Sequence, residues 1–139
     1  MASIFTKIIQ GEIPCEKIIE TDAEIAFLDI MPSASGHTLV IPKLEVIRLE
    51  DLPETQAISL MRTLQQVAKA VSTAFNGIDY NLILNNGANA GQEVKHIHFH
   101  VIPRSEGSPG PFRKHMGNLW ASLKSSEQVL AKRKKTFPR

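Results

Sequence analysis

The stretch "KHIHFHVIP", residues 95–103, decides the fold, because histidine and apolar side chains alternate along it. Successive side chains of a β-strand point to opposite faces, so this alternation predicts a strand with one polar and one apolar face. Side chains two residues apart lie roughly 6.6 Å from each other along a strand, which predicts a row of imidazoles on one face. The polar positions are His96, His98 and His100, and the apolar positions are Ile97, Phe99 and Val101.

The clearest helical signal lies upstream of this strand, from Pro53 to Phe75. Apolar residues recur there at three- and four-residue steps, which is the pattern of a helix with one face on the core. Pro53 suits the first turn, and Asn76 with Gly77 suits the C-terminal cap. The apolar positions are Leu60, Met61, Leu64, Val67, Ala68, Val71 and Phe75.

Shorter patterns complete the order of elements. "SIFTKIIQ" predicts a short amphipathic helix that Gly11 and Pro14 stop. "CEKIIETD" and "EIAFLDI" predict a hairpin, and "GHTLVIP" and "DYNLILNN" predict two further strands. Strands that follow one another in sequence favour an antiparallel sheet, so the chain is predicted to be α+β, with its helices on one side of the sheet.

Length and composition predict an ordinary globular domain. The chain has 139 residues, 42% of them hydrophobic and 22% charged, which is enough apolar material for one core. The net charge of +2 is too small to favour a nucleic acid or a membrane as the main partner. Cys15 is the only cysteine, and the first residues lack the pattern of a secretion signal, so we expect a cytoplasmic protein.

Three interpretations of the histidine row compete. It could be a solvated strand face, a metal site, or a catalytic site in which one imidazole is the nucleophile. The segment "NNGANAGQ", residues 85–92, precedes the strand and favours catalysis. A glycine-rich loop can aim backbone N–H groups at an anion, and asparagine and glutamine side chains add neutral donors.

The sequence resembles the histidine triad (HIT) superfamily, whose signature of alternating histidines is matched by "HIHFHVI". "IFTKIIQGEIP", "AFLDI", "GHTLVIPK" and "NNGANAGQEVKHIHFHVIPR" are similar in order and spacing to the Hint branch, the nucleoside phosphoramidase-like proteins. The resemblance implies an α+β fold with a five-stranded antiparallel sheet, one long helix and one short helix. It also implies a homodimer across which the sheet is extended.

The resemblance implies a role for each of four histidines. His98 corresponds to the nucleophile that attacks the α-phosphorus of a nucleotide, and water then cleaves the nucleotidyl-histidine. His100 would contact the phosphate and help to protonate the departing group. His96 would belong to the hydrogen-bonded histidine group, and His37 would orient the nucleophile.

Further positions correspond to the family's nucleotide-binding residues. Asp29 would accept hydrogen bonds from the ribose hydroxyls. Glu93 is a departure, since serine or threonine is frequent there in Hint proteins, and a carboxylate would repel a phosphate unless it turned away. The remaining binding positions are Asn85, Gln92 and Val94 around the phosphate, and Phe5, Ile8, Ile30 and Leu39 as an apolar slot for the base.

No metal and no cofactor are expected. Some bacterial relatives hold zinc with a Cys-x-x-Cys pair, a histidine after "IPK" and the first triad histidine. This chain has Ser3, Thr6 and Glu45 at the first three of these positions, and hydroxyls are poor zinc ligands compared with thiolates.

The resemblance, together with the four histidines and the glycine-rich loop, implies a hydrolase that cleaves a P–N or P–O bond at the α-phosphate of purine nucleoside phosphoramidates or acyl-adenylates. The alternatives are a dinucleoside polyphosphate hydrolase of the Fhit-like branch and a nucleotide-sensing interaction protein. Residues 1–115 are predicted to form the HIT domain, and residues 116–139 a C-terminal extension with the basic tail "KRKKTFPR".

Overall fold

The computed structural model describes residues 2–106, nearly all of which belong to one compact unit, Met1–Ser105. The predicted boundary at residue 115 and the C-terminal extension lie outside the described residues and stay predictions. The elements, in chain order, are α1 (Ile4–Ile9), β1 (Lys17–Glu20), β2 (Glu24–Leu28), β3 (Thr38–Pro42), α2 (Glu54–Ala74), β4 (Asp79–Leu84) and β5 (Phe99–Arg104).

The five strands form one antiparallel sheet in the order β1-β2-β3-β5-β4. The predicted α+β class, with one long and one short helix, is confirmed. β5 lies between β3 and β4, and within it His100 is opposite Leu39 on one side and Ile83 on the other. The predicted start of the strand was too early, because β5 begins at Phe99 and only the last of the three histidines lies in the ladder.

α2 covers one face of the sheet with the predicted apolar stripe. Its 21 residues bury Leu60, Leu64, Val67 and Val71 against strand residues that include Val40. Burying one such side chain contributes about 1.5–3 kcal/mol, so this interface supplies much of the driving force for folding. Truncating Leu64, which is 1% exposed, would cost about 2–5 kcal/mol.

α1 packs on the opposite face of the sheet, so the expectation that both helices share one side is wrong. Phe5 packs with Phe27 and Leu39, whereas the long helix packs with Ala26 and Val40. Neighbouring residues of a strand point to opposite faces, and β2 and β3 therefore serve two different cores.

Six residues are too few for a helix that is stable in isolation, so α1 depends on its anchors. Ser3 caps its N-terminus by accepting a hydrogen bond from the Thr6 backbone N–H, and Phe5 is buried beneath it. Among the described residues, no helix has both the length and the apolar character needed to cross a bilayer.

Candidate active site

A cavity of about 420 Å³ opens between α1, the end of β2 and the histidine segment. All four residues that were predicted to form an apolar slot line it, namely Phe5, Ile8, Ile30 and Leu39. Six other predicted site residues also line it: Asp29, Asn85, Glu93, Val94, His98 and His100. The tertiary structure therefore brings together ten of the positions named from the sequence.

The imidazole of His98 has a defined proton position. Its Nδ1 lies 2.8 Å from the backbone carbonyl oxygen of His96, and a carbonyl oxygen can only accept. Nδ1 therefore carries the proton, and the lone pair of the neutral ring is on Nε2. The residue is only 7% exposed, and what remains accessible faces the cavity. The result is an oriented imidazole with a free nucleophilic nitrogen.

His37 and His100 form a hydrogen-bonded pair whose direction is also determined. The Ser33 backbone N–H donates to His37 Nδ1 at 3.0 Å, so the proton of neutral His37 is on Nε2. That Nε2–H donates to His100 Nδ1 at 2.9 Å. His100 must then carry its own proton on Nε2, which makes it a hydrogen-bond donor from a ring that lines the cavity.

Asp29 directly follows β2 and lies next to this pair. Its Oδ2 is 3.5 Å from His37 Nε2, and its Oδ1 accepts a hydrogen bond from the Met31 backbone N–H at 3.0 Å. The carboxylate also lines the cavity. Two oxygens that are only partly engaged by the protein leave lone pairs for the hydroxyl groups of a ligand.

Burial keeps all four histidines neutral near pH 7. Desolvation is the largest cause in each case, and it lowers the pKa of His37, His96 and His98. It lowers the pKa of His100 to about 4, with further lowering from the neighbouring His98 and His37 and an opposing effect of Asp29. The proton positions assigned to these imidazoles require that the rings are neutral.

His96 does not line the cavity, and its expected place in the hydrogen-bonded histidine group stays a prediction. It is fully buried, and its Nε2–H donates to the Pro42 carbonyl oxygen at 2.8 Å. Its Nδ1 lies 2.8 Å from the Ser3 hydroxyl oxygen, so both ring nitrogens are engaged within the protein. The contribution of His96 to the site is its backbone carbonyl, which holds His98.

Gln92 likewise turns away from the cavity and holds the loop instead. Its Oε1 accepts from the Gly87 backbone N–H at 2.7 Å, and its Nε2 donates to the Ile47 carbonyl oxygen at 2.8 Å and to the Val94 carbonyl oxygen at 3.1 Å. The side chain is buried and satisfied, so the expected direct contact with a phosphate is not made from this position. Instead, Gln92 fixes the shape of the loop whose backbone faces the cavity.

The donor groups of the site fit a metal ion poorly. Among residues 2–106, Asp29, His37 and His100 are the group whose ligand atoms lie within 4.8 Å of one another. His37 would need a free lone pair on Nε2 to bind an ion, but the Ser33 N–H at Nδ1 forces the proton onto Nε2. The residues at the zinc positions of bacterial relatives meet through hydrogen bonds between hydroxyl, carboxylate and imidazole groups.

Several cavity residues were not found from the sequence. Most of these residues contribute apolar surface. An apolar pattern in a sequence predicts that a residue is buried, but it does not show whether the residue lies in the core or lines a cavity. Phe27 could have been found, because it precedes Asp29 by two positions and so points to the same side. The unpredicted lining residues are Ile4, Ile13, Pro14, Cys15, Phe27, Met31 and Gly91.

The chain is similar to known proteins of one family. Residues 10–107 match the family model described as HIT domain. The chain is 41% identical over 130 residues to adenosine 5'-monophosphoramidase hnt1 of Schizosaccharomyces pombe, covering 94% of this chain and 91% of that protein. It is 41% identical over 103 residues to adenylylsulfatase HINT3 of Arabidopsis thaliana, covering 74% and 52% of the two chains. The solved structure of a histidine triad nucleotide-binding protein from Candida albicans superimposes with a TM-score of 0.71 at 35% identity, over 94% of this chain and 99% of that one.

Proposed function

The chain belongs to the HIT family, in which its relatives place it in the Hint branch, and we propose that it hydrolyses a P–N or P–O bond at the α-phosphate of a purine nucleoside phosphoramidate or an acyl-adenylate. The observation that carries this proposal is His98, whose Nδ1 is held by the His96 carbonyl while Nε2 is left free at the cavity. The names of the fission yeast and Arabidopsis relatives support a nucleotide substrate. We also expect this activity in the cytoplasm, as predicted from the sequence.

The first step is attack of His98 Nε2 on the α-phosphorus, which forms a P–N bond to the ring and breaks the bond to the departing group. The ring becomes positively charged, and the His96 carbonyl stabilises it through the Nδ1–H. The Nε2–H of His100 donates a hydrogen bond to a phosphate oxygen, and the backbone N–H of Val94 supports the same charge. A water molecule gives its proton to the departing amine, and the hydroxide that remains takes up the proton released when water attacks in the second step.

The second step is attack of water on the phosphorus, which breaks the bond to His98 and releases the nucleoside monophosphate. Dividing the hydrolysis in this way replaces one difficult displacement with two easier ones. The pairing of His100 Nδ1 with the Nε2–H of His37 favours the role of a neutral donor for His100 rather than that of a strong acid.

The nucleophile assignment is tested with His98→Asn, in which the amide can still donate to the His96 carbonyl but cannot attack phosphorus. We expect turnover of an adenosine 5'-phosphoramidate, followed as AMP release, to fall by about three orders of magnitude or more. AMP binding, measured by calorimetry, should change only a few-fold because the cavity walls remain. Turnover within about tenfold of the parent protein would contradict the assignment.

A dinucleoside polyphosphate is the main alternative substrate, and Glu93 favours the phosphoramidate. This exposed side chain lines the cavity beside Val94, so its carboxylate opposes ligands that carry several phosphates. We expect a higher kcat/KM on a phosphoramidate than on a diadenosine polyphosphate. Glu93→Gln should raise kcat/KM on the polyphosphate more than on the phosphoramidate. The nucleotide-sensing alternative would gain support if both rates were very slow.

We propose in addition that two copies of the chain associate through α2 and the edge strand β4. Ile58, Met61, Tyr80 and Leu82 are 56%, 57%, 39% and 48% exposed there, an apolar patch that a monomer would leave in water. β4 is an edge strand, and a second copy would cover its free side. Leu82→Asp should lower the mass measured by analytical ultracentrifugation from dimer to monomer, whereas Leu44→Asp, at a residue 44% exposed elsewhere, should not. A monomeric parent protein would refute this proposal.

A further inference from the structure

We propose that Ser3 is a positioning residue, which ties α1 to His96 and thereby orients the nucleophile His98. The tie is a hydrogen-bonded cluster of four side chains, here called the Ser3 cluster: Ser3, Thr6, Glu45 and His96. The inference rests on the proposed function in one respect, because the effect on catalysis requires His98 to be the nucleophile. The geometry of the cluster can be tested without that assumption.

The donor and the acceptor of each hydrogen bond in the Ser3 cluster can be assigned. Glu45 Oε1 accepts from the Ser3 backbone N–H and from the Thr6 hydroxyl, the latter at 2.8 Å. His96 donates its Nε2–H to the Pro42 carbonyl, so its Nδ1 is an acceptor. The single hydroxyl proton of Ser3 must therefore go to His96 Nδ1 at 2.8 Å rather than to the Thr6 hydroxyl at 3.2 Å.

His96 is held from two sides, one of them by the Ser3 cluster. Pro42, at the end of β3, fixes one ring nitrogen, and Ser3, at the N-cap of α1, fixes the other. Rotation of the ring would break both hydrogen bonds, and the backbone carbonyl of the same residue accepts from His98 Nδ1. Ser3 and His96 are 93 positions apart in the chain, so the contact is a purely tertiary one.

α1 also touches the nucleophile directly. The ring of Phe5 packs edge-on against His98, with 4.9 Å between the centroids and 76° between the planes. It makes a second such contact with His96, at 5.8 Å and 72°. A helix of six residues can hold Phe5 in this place only if its own N-terminus is anchored, and the Ser3 cluster is that anchor.

The test compares three variants of the full chain with the parent protein. Ser3→Gly removes the hydroxyl but keeps an acceptable N-cap residue, and Ser3→Thr keeps both the hydroxyl and the cap. Lys7→Gly is the matched control, since it weakens the exposed side of α1 without touching His96. We expect Ser3→Gly to lower kcat on the phosphoramidate about tenfold with KM changed less than about threefold. Ser3→Thr should restore kcat, and Lys7→Gly should leave it near the parent value.

The ¹⁵N signals of the imidazoles provide a readout that does not depend on activity. In the parent protein we expect His96 Nδ1 to show the shift of a hydrogen-bonded acceptor and His98 to be protonated at Nδ1. Ser3→Gly should move the His96 Nδ1 signal toward that of a free acceptor and broaden the His98 signals, whereas Lys7→Gly should leave them in place. Unchanged ¹⁵N signals in Ser3→Gly would overturn the inference. An inactive parent protein with the expected ¹⁵N changes would instead refute the proposed function alone.

Discussion

Mild acid should destabilise this protein through its buried histidines, and His100 gives the clearest case. Its pKa is lowered to about 4 in the folded state, mainly by desolvation, from an ordinary value of 6.5. Between these two values the unfolded chain binds a proton that the folded chain does not. The free energy of unfolding therefore falls as the pH decreases from about 6.5 toward 4.

The size of the effect follows from this difference. From pH 7 to pH 5.5, the linkage relation gives a loss of about 1 kcal/mol for His100 alone, after a reduction for partial solvent exposure. His37, His96 and His98 have pKa values lowered in the same direction, so their losses add to it. Glu20 and Glu50 have pKa values lowered to about 2, and the stability that they contribute is lost only below about pH 4.5.

Urea denaturation at pH 7.0, 6.5, 6.0 and 5.5 measures how the free energy of unfolding changes with pH. In this range the histidines contribute to the change, whereas Glu20 and Glu50 do not. His100→Asn is the informative variant, because its amide oxygen can still accept from His37 Nε2–H but the side chain has no proton to bind. We expect the variant to lose about 1 kcal/mol less than the parent protein over this range. A free energy of unfolding that stayed constant, or an equal slope in the variant, would refute the reasoning.

Two further predictions concern the loop that precedes the histidine segment. Gly87 has φ 102° and ψ 154°, a backbone conformation that is strained for any residue with a Cβ, so Gly87→Ala should cost about 2–3 kcal/mol in urea denaturation. The Arg48 guanidinium near this position ends an exposed, flexible side chain and can move aside. Gly77→Ala is its control, at φ 78° with open space around it, and should cost about 1 kcal/mol; equal costs would contradict the backbone strain assigned to Gly87. Gln92→Ala should cost about 2 kcal/mol and speed hydrogen exchange of the Gly87 amide, since it leaves that half-buried N–H and the Ile47 carbonyl without their partner. Unaltered exchange at Gly87 would show that the loop does not depend on this side chain.

Local sequence patterns predicted most of the fold. The alternation in residues 95–103 and the stripe from Leu60 to Val71 predicted β5 and α2, because the period of apolar residues reflects which face is buried. The patterns were less informative about where an element begins and about which face of the sheet a helix covers. The strand begins at Phe99 rather than at Lys95, and α1 lies on the face opposite α2, because pairing and packing partners come from distant parts of the chain.

The sequence by itself determined that three imidazoles follow one another at every second position beside a glycine-rich loop, and that a sheet and a long helix support them. It could not determine that these imidazoles differ. His96 is buried with both nitrogens engaged, His98 keeps one nitrogen free, and His100 is a donor, although all three stand in the same alternating pattern. The tertiary structure decided this, since the proton on each ring is placed by a carbonyl, an N–H or a hydroxyl that folding brings next to it.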